Sequence, residues 1–229
     1  MTFYAAELAR IHDDGYGDFP RAAACELLRR VPPSGLVVEL GCGSGISSEL
    51  IAAAGYDVLG IDISPDMLAI ARRRVPRARF EAGSIWDAQL PRCIAVTAIG
   101  EVINYAVDER AGAERLPELF ERIHAALLPG GLFLFDFATP GRGRGQVSER
   151  SGTEWRVEAT NVEEQGTLER RITFAIGGTR REEVHRLRLY DPQAVRQRLE
   201  DRGFAVEQLE RYCDFRWGPG YAAFAASVR

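Results

Sequence analysis

Along the first 138 residues, short apolar runs alternate with segments in which apolar residues recur at helical spacing. Short and mostly apolar runs predict buried strands at 36–38, 57–61, 94–99 and 132–137, and a short third strand is expected at 79–82. Helical spacing between these runs predicts helices at 20–30, 46–54, 64–74 and 114–128. Strands that alternate with helices, and that are apolar on both faces, are typical of a parallel sheet covered on both sides. A ligand crevice is expected at the carboxyl ends of such strands.

The pattern changes after Phe137. Period-two alternation predicts antiparallel strands at about 153–161, 167–176 and 182–191. A helix at 192–202 and two strands at about 204–213 and 221–228 follow. The pattern as a whole predicts an α/β fold with a doubly wound, mostly parallel, seven-stranded sheet that is Rossmann-like, and a small antiparallel insertion. We expect one domain over 1–229, in which 1–33 form an N-terminal helical flap and 140–191 form an insertion that caps the crevice.

Composition excludes several functions. All 29 basic residues of the 229-residue chain are arginine, so the lysine of a P-loop and the lysine of a pyridoxal phosphate Schiff base are both missing. A net charge of −4 without a visible basic face argues against a nucleic-acid partner. The chain contains no apolar run of 18 residues, so no membrane-spanning helix is expected.

The cysteines indicate a cytoplasmic protein without a metal centre. Cys25, Cys42, Cys93 and Cys213 are scattered and show no C-x-x-C spacing. We therefore expect them to be reduced residues of the core.

A glycine-rich turn joins the first predicted strand to the next helix. Its sequence, Val37 to Gly45, reads V-V-E-L-G-C-G-S-G. Glycines let a backbone approach a ligand closely, but the dinucleotide fingerprint G-x-G-x-x-G would need a different spacing. Glu39 beside the turn disfavours a phosphate and favours a cation. A turn that binds no cofactor remains the alternative.

Asp62 lies at the end of the second predicted strand. A carboxylate in that position accepts hydrogen bonds from the ribose hydroxyls of a bound nucleoside. The following Ser64-Pro65 is also a helix start, so a purely structural role for Asp62 is the alternative.

These motifs together resemble the class I S-adenosylmethionine-dependent methyltransferases. The segments that carry the resemblance are 37–45, 59–68, 81–87 and 127–137. The resemblance implies S-adenosylmethionine as the cofactor and no metal. It implies cofactor contacts from thirteen positions: Tyr16, Glu39, Gly41, Cys42, Gly43, Gly45, Asp62, Ile63, Met67, Ser84, Ile85, Gly100 and Glu101. The segment 12–17 resembles a flap that closes over the cofactor in some members that act on small molecules.

The segment after the fourth predicted strand carries the expected catalytic groups. Glu101 is the candidate general base, and Tyr105 and Asn104 are candidates for positioning the methyl acceptor. Ordinary loop residues are the alternative for all three. The acidic charge and the capping insertion favour a small-molecule acceptor. The basic segment 141–145 is expected to be a surface loop, with steering of an anionic substrate by Arg142 and Arg144 as the alternative.

Two other functions stay open on this sequence. One is a cofactor-binding protein of the same fold without catalysis, and the less favoured one is a nicotinamide-dependent oxidoreductase. The methyl acceptor and the oligomeric state cannot be read from the residues.

Overall fold

The computed structural model describes residues 3–108, 111–143 and 147–228. The helices are α1 (Ala6–Gly15), α2 (Asp18–Leu28), α3 (Ile46–Ala53), α4 (Pro65–Arg74), α5 (Leu116–Ala126) and α6 (Pro192–Glu200), with a 3₁₀ turn at Val102–Asn104. The first five strands are β1 (Leu36–Leu40), β2 (Asp57–Asp62), β3 (Arg79–Ala82), β4 (Cys93–Ala98) and β5 (Leu127–Ala138). The others are β6 (Val147–Ser151), β7 (Trp155–Glu164), β8 (Thr167–Ile176), β9 (Thr179–Arg188), β10 (Phe204–Leu209), β11 (Arg211–Tyr212), β12 (Phe215–Arg216) and β13 (Tyr221–Val228).

Seven strands form one twisted sheet in the order β10-β13-β5-β4-β1-β2-β3. β1 to β5 pair in parallel, and β13 runs antiparallel to both β5 and β10. The predicted seven-stranded, mostly parallel sheet is therefore confirmed. The strand order reverses between β1 and β4, which is where this class of sheet leaves a crevice.

Helices cover both faces of this sheet. On one face, α5 and α6 pack their apolar sides on the sheet through residues such as Phe120 and Leu199. On the other face, α2, α3 and α4 do the same through residues such as Leu27, Ile51 and Leu68. Helix α4 begins where the sequence predicts it. Ser64 is its N-cap, since the Ser64 hydroxyl accepts a hydrogen bond from the Met67 amide at 3.3 Å.

A second, antiparallel sheet contains β6-β7-β8-β9 in that order. It has four strands instead of the three predicted, because every residue of β6 is exposed and the strand lacks the alternation that would reveal it. The inner face of this sheet packs on α1 through contacts of Leu8 and Ile11 with Val157, Ile172 and Phe174.

Two boundaries differ from the prediction because a turn signal lies inside a strand. The sequence Pro129-Gly130-Gly131 was expected to follow a long helix, but α5 ends at Ala126 and β5 begins at Leu127. The β4–β5 register shifts between Cys93 and Ala95, so the turn residues are absorbed as an irregularity. The strand expected at 204–213 ends at Leu209, and β11 and β12 then form a small hairpin.

The expectation of four reduced cysteines is wrong for one pair. Cys25 in α2 and Cys213 beside the hairpin form a disulfide, with their Cα atoms 6.4 Å apart. The fold brings them together across 188 positions, which the spacing in sequence could not reveal. Cys42 and Cys93 are free and buried, as expected. Within the described ranges, no helix has the length and apolar character needed to cross a membrane.

Candidate functional site

One cavity of about 560 Å³ opens at the carboxyl ends of β1, β2 and β4. Most of the residues predicted from the sequence line it together: Tyr16, Glu39, Gly41, Cys42, Gly43, Asp62, Ile63, Met67, Ser84, Ile85, Gly100, Glu101 and Tyr105. The inner faces of β7 and β8 supply the opposite wall, with Val157, Ala159, Asn161, Arg170 and Ile172. The parallel sheet and the antiparallel sheet therefore enclose one site.

The three glycines of the turn after β1 have different surroundings. A Cβ on Gly41 would lie 2.5 Å from Cγ2 of Val102, whereas a Cβ on Gly43 would meet no protein atom within 4 Å. Both have a positive φ, which favours glycine. The open space over Gly43 fits a ligand that passes close to the backbone. Gly45 was expected beside the ligand too, but its Cβ position faces Ala71 of α4 at 3.1 Å, so Gly45 serves packing.

Glu39 is almost fully buried at the end of β1. The hydroxyls of Ser47 and Ser48, in the first turn of α3, each donate to one of its carboxylate oxygens. Burial raises the pKa of the Glu39 carboxyl, and the two hydroxyls oppose that shift. A buried acceptor beside an open glycine turn fits a ligand with an ammonium group.

Asp62 holds the turn in place as well as facing the cavity. Its two oxygens accept hydrogen bonds from the backbone amides of Gly43 and Ser64, each at 2.8 Å. Burial raises the pKa of its carboxyl, and these amides oppose the shift. Since each carboxylate oxygen accepts more than one hydrogen bond, the arrangement leaves acceptor capacity for a diol.

Ile63 follows Asp62 and is 39% exposed, which is unusual for a large apolar residue beside a core strand. It lines the cavity with Met67 and Ile85, and the three form an apolar surface that fits a flat ring. The hydroxyl of Ser84 accepts from the Trp86 amide at 3.0 Å, so part of its acceptor capacity is already used within the loop. These residues fit an S-adenosyl group: carboxylates for the ammonium and the ribose, and apolar side chains for the base.

Glu101 is ion-paired on both carboxylate oxygens. The Nε of Arg142 lies 2.6 Å from Oε1, and Nη1 of Arg170 lies 2.9 Å from Oε2. Burial would raise the pKa of Glu101, but the charges of Arg170 and Arg142 outweigh it and lower the pKa to about 2. Its φ is +64°, a left-handed conformation that non-glycine residues rarely adopt. A carboxylate with this pKa is a poor proton acceptor at neutral pH.

Behind Glu101 lies a fully buried carboxyl, Asp136 of β5. The amide of Gly100 donates to it at 3.0 Å and the amide of Glu101 at 2.8 Å. Burial raises its pKa to about 7, against the effect of these amides. Asp136 thus fixes the backbone that carries Glu101 and Gly100 at the cavity wall.

Asn104, a predicted contact of the acceptor, is structural. Its amide nitrogen donates to the carbonyls of Ala138 and Arg188, and its oxygen accepts from the Ala138 amide. It is fully buried, and it does not line the cavity. Tyr105 does line the cavity, and burial raises the pKa of its phenol, so the hydroxyl stays protonated at neutral pH.

Arg170 was not predicted as a site residue, and for Arg142 a role toward an anionic substrate was only the alternative. Arg170 occupies the inner face of β8 between the buried Leu168 and Ile172. A cation on an otherwise apolar face of a strand indicates a functional position, and this is the signal in the sequence that identifies Arg170. Arg142 was expected on a surface loop, but only 17% of its side chain is exposed, because it pairs with Glu101 and lies 4.3 Å from the centre of the Tyr221 ring. Arg144 lies outside the described residues.

The N-terminal segment 3–17 forms another wall. Tyr4, His12 and Tyr16 line the cavity, and the His12 and Tyr16 rings stack with centroids 5.3 Å apart. Burial lowers the pKa of His12 to about 4, so it is neutral at pH 7. The Tyr4 amide donates to Glu183 of β9 at 3.1 Å, and the Ser64 hydroxyl donates to the Tyr4 carbonyl at 3.1 Å. This segment therefore contacts the antiparallel sheet and the loop that joins β2 to α4.

Comparison with known proteins agrees with this geometry. Residues 37–131 match a family model described as a methyltransferase domain. The chain is 31% identical over 224 residues to a dTDP-3-amino-3,6-dideoxy-alpha-D-glucopyranose N,N-dimethyltransferase of Streptomyces fradiae, covering 89% of this chain and 86% of that protein. It is 38% identical over 138 residues to a trans-aconitate 2-methyltransferase of Rhizobium meliloti, covering 57% of this chain and 48% of that protein.

A solved structure shows the same fold over the whole length. It is that of CalS10 with S-adenosylmethionine bound, an amino pentose methyltransferase from Micromonospora echinaspora. The TM-score is 0.78 at 20% identity, and the match covers 100% of this chain and 99% of CalS10. With the cofactor motifs assembled on one cavity and a relative matched along most of its length, the chain belongs to the class I S-adenosylmethionine-dependent methyltransferase family.

Proposed function

We propose that this enzyme methylates a small-molecule acceptor enclosed between its two sheets. The observation that carries the proposal is the cavity at the carboxyl ends of the parallel strands. One of its walls holds the glycine turn with Glu39 and Asp62, and the other is the inner face of the antiparallel sheet. We call the first wall the cofactor half. We call the wall formed by Glu101, Tyr105, Arg142, Arg170 and Tyr221 the acceptor half. A volume of about 560 Å³ is within the range of small-molecule sites.

The relatives support an acceptor of this size. One is named for an amino sugar linked to dTDP and the other for trans-aconitate, and neither acceptor is a macromolecule. The enclosing position of β7 and β8 fits the same class of acceptor, because a long polymer would have to displace these strands. A nucleic-acid acceptor is therefore not proposed.

The chain itself contributes position and exclusion of water. When bound, S-adenosylmethionine would supply a methyl group on a positively charged sulfur: an acceptor lone pair would bond to the methyl carbon as the carbon–sulfur bond breaks, with neutral S-adenosylhomocysteine as the leaving group. We propose that Asp62 and Glu39 hold the ribose and the ammonium, that Ile63, Met67 and Ile85 hold the adenine, and that segment 3–17 closes the cavity. Alignment of this kind contributes up to ~7–11 kcal/mol in well-oriented reactions.

Glu101 takes a different role from the general base expected at first. With its pKa near 2 and both oxygens bound to guanidinium groups, it acts as a positioning residue that holds Arg142 and Arg170 at the cavity. Tyr105 remains the candidate for direct contact with the acceptor, as a protonated hydroxyl that donates a hydrogen bond.

Isothermal titration calorimetry and thermal unfolding with S-adenosylhomocysteine test the cofactor assignment, with NAD as the control. Ligand at 100 times its Kd adds ~2.7 kcal/mol of stability, which raises Tm by roughly 5–10 °C for a domain of this size. A rise with S-adenosylhomocysteine and none with NAD is expected. A response to NAD alone would overturn the proposal in favour of an oxidoreductase.

The expected cytoplasmic location stays a prediction. The free thiols of Cys42 and Cys93 agree with a reducing compartment, whereas the Cys25–Cys213 disulfide is typical of an oxidising one. Fractionation of the producing cells, with thiol alkylation at lysis, would decide between the two.

A further inference from the structure

We infer that the acceptor carries an anionic group, a carboxylate or a phosphate, and that Arg170 and Arg142 bind it in the acceptor half. The inference rests on the proposed function, because it assigns the ligand of the same cavity. It names a chemical class that neither the fold nor the cofactor motifs specify.

The first argument is the cost of burying Arg170. Only 13% of its side chain is exposed, and Leu168 and Ile172 flank it on the inner face of β8. Removing a guanidinium from water costs several kcal/mol unless its charge is matched. Glu101 matches one positive charge but is shared with Arg142, so an anionic ligand would complete the compensation of Arg170 on the cavity wall.

The second argument is the balance of charge. The carboxylate of Glu101 is shared by the guanidinium groups of Arg142 and Arg170, so these three side chains, taken by themselves, carry a net positive charge. Asp136 lies behind it, but burial raises its pKa to about 7, so it carries only part of a charge at neutral pH. Asn161, which accepts from Nε of Arg170 at 3.1 Å, is neutral.

The other charges of the cavity are divided between its two halves. Glu39 and Asp62 lie at the ends of β1 and β2, where they suit the cationic cofactor. Arg150, which stands 4.6 Å over the Tyr16 ring, adds a further cation to the wall formed by the antiparallel sheet. Asp108 and Arg216 line the cavity too. A cationic acceptor would be repelled by both the arginines and the sulfonium.

The third argument is the set of donors. A guanidinium has five N–H groups, and the hydrogen bonds that the structure describes for Arg170 use three of them, one to Asn161 and two to Glu101. Two N–H groups of Arg170 are then left for a ligand, as judged over the described residues. Tyr105 and Tyr221 add two phenols to the same wall, and burial raises the pKa of both. This wall therefore presents donors, which suits an anion.

The test uses calorimetry on the enzyme saturated with S-adenosylhomocysteine. The probes are two carboxylates, malonate and citrate, two phosphates, inorganic pyrophosphate and dTDP, and spermidine as a cation. We expect at least one anion to bind, with spermidine inactive. Whether the carboxylates or the phosphates bind shows which of these two anionic groups the acceptor carries.

Variants then assign the binding to the two arginines. Arg170→Met and Arg142→Met should each weaken anion binding about 10-fold or more, with the affinity for S-adenosylhomocysteine kept within about twofold. Arg171→Met is the matched control, because Arg171 is the next residue of β8 and points outward, with 49% of its side chain exposed. In Arg170→Met, Glu101 keeps Arg142 as its partner and loses the pairing of Oε2. If this variant fails to fold, the double variant Glu101→Gln/Arg170→Met removes the charges of the broken pair together and should fold while binding the anion about 10-fold or more weakly.

Each outcome decides between the two proposals. No binding of any of the four anions by an enzyme that does bind S-adenosylhomocysteine overturns the anionic acceptor alone. Anion binding that survives both arginine substitutions also overturns it. Failure of the unmodified enzyme to bind S-adenosylhomocysteine at all contradicts the proposed function instead.

Discussion

The two halves of the cavity are built on different principles. In the cofactor half, the residues of the turn after β1 lie within seven positions of one another. Backbone groups hold this half together, since the amides of Gly43 and Ser64 donate hydrogen bonds to Asp62. In the acceptor half, Glu101, Arg142 and Arg170 come from three parts of the chain up to 69 positions apart and are joined through their side chains. The first half depends on shape and the second on balanced charge.

Because of this difference, different kinds of substitution should destabilise the two halves. A backbone site fails when a side chain is added where there is no room for one. A charge cluster fails when one partner is removed, because the others are left buried without compensation. The following substitutions separate the two cases.

Removing the charge of Glu101 should have the largest effect. Glu101→Gln leaves Arg142 and Arg170 buried without their carboxylate, and breaking a buried pair costs about 3–5 kcal/mol. Urea unfolding measures this loss, and the double variant Glu101→Gln/Arg170→Met should recover part of it. Full stability in Glu101→Gln would show that the cluster is solvated and that charge balance does not govern this half.

Adding a methyl group at Gly41 should have the next largest effect. In Gly41→Ala the new Cβ would lie 2.5 Å from Val102, and φ is +68°, so we expect a loss of about 2–3 kcal/mol from overpacking and backbone strain. Gly43→Ala is the matched control, because it has a similar φ but open space around the Cβ. It should cost only about 1 kcal/mol of stability while weakening S-adenosylhomocysteine binding, and equal stability losses in the two variants would contradict this distinction.

Asp62→Asn tests the cofactor half through one of its two carboxylates that face the ligand. The amide replaces an acceptor of charge-assisted hydrogen bonds, each worth about 1.5–3 kcal/mol, so affinity for S-adenosylhomocysteine should fall roughly 10- to 100-fold. Calorimetry measures the change, and Asp57→Asn at the exposed start of β2 serves as the control. An unchanged affinity would leave Asp62 with its structural role at the start of α4 alone.

The smallest effect is a pH dependence from His12. Its folded pKa of about 4 lies below the unfolded value of 6.5, so the unfolded chain binds more protons and stability is lost as the pH falls from 6.5 towards 4. The raised pKa of Asp136 makes stability change with pH in the opposite direction. The contribution of His12 is therefore measured as the difference in stability between the unmodified protein and a His12 variant. Relative to the unmodified protein, His12→Asn should gain about 1–2 kcal/mol between pH 7 and pH 5. A pH-independent difference would mean that His12 is not buried in solution.

The cofactor half could be predicted from sequence because its parts are local. The acid, the glycines and the aspartate at the end of the next strand are spaced by the βαβ unit itself, so reading the strand ends was enough to place Glu39, Gly43 and Asp62 on one cavity. Gly45 was misplaced because its packing against Ala71 depends on how α4 crosses α3, which no local pattern encodes.

The acceptor half could be predicted only in part. Glu101 and Tyr105 were found from their place after β4, but their partners were not. The pairing of Glu101 with Arg170 requires β8 to fold over the ends of the parallel strands, and this is a tertiary arrangement. For the same reason the chemistry assigned to Glu101 changed, since a carboxylate's pKa is set by neighbours that are distant in sequence. Asn104 was misread because its three hydrogen bonds go to backbone groups of β5 and β9.

The Cys25–Cys213 bond has a consequence for the unfolded chain. It joins residues 188 positions apart and thereby closes most of the polypeptide into a covalent ring that includes the whole antiparallel sheet and every strand of the seven-stranded sheet except β13. A ring has fewer unfolded conformations than an open chain, and for a loop of this length the loop-closure model assigns about 5 kcal/mol to the difference. Much of the enzyme's resistance to unfolding would then depend on the thiol–disulfide balance around it, so that the same sequence is a more stable molecule under oxidising conditions than under reducing ones.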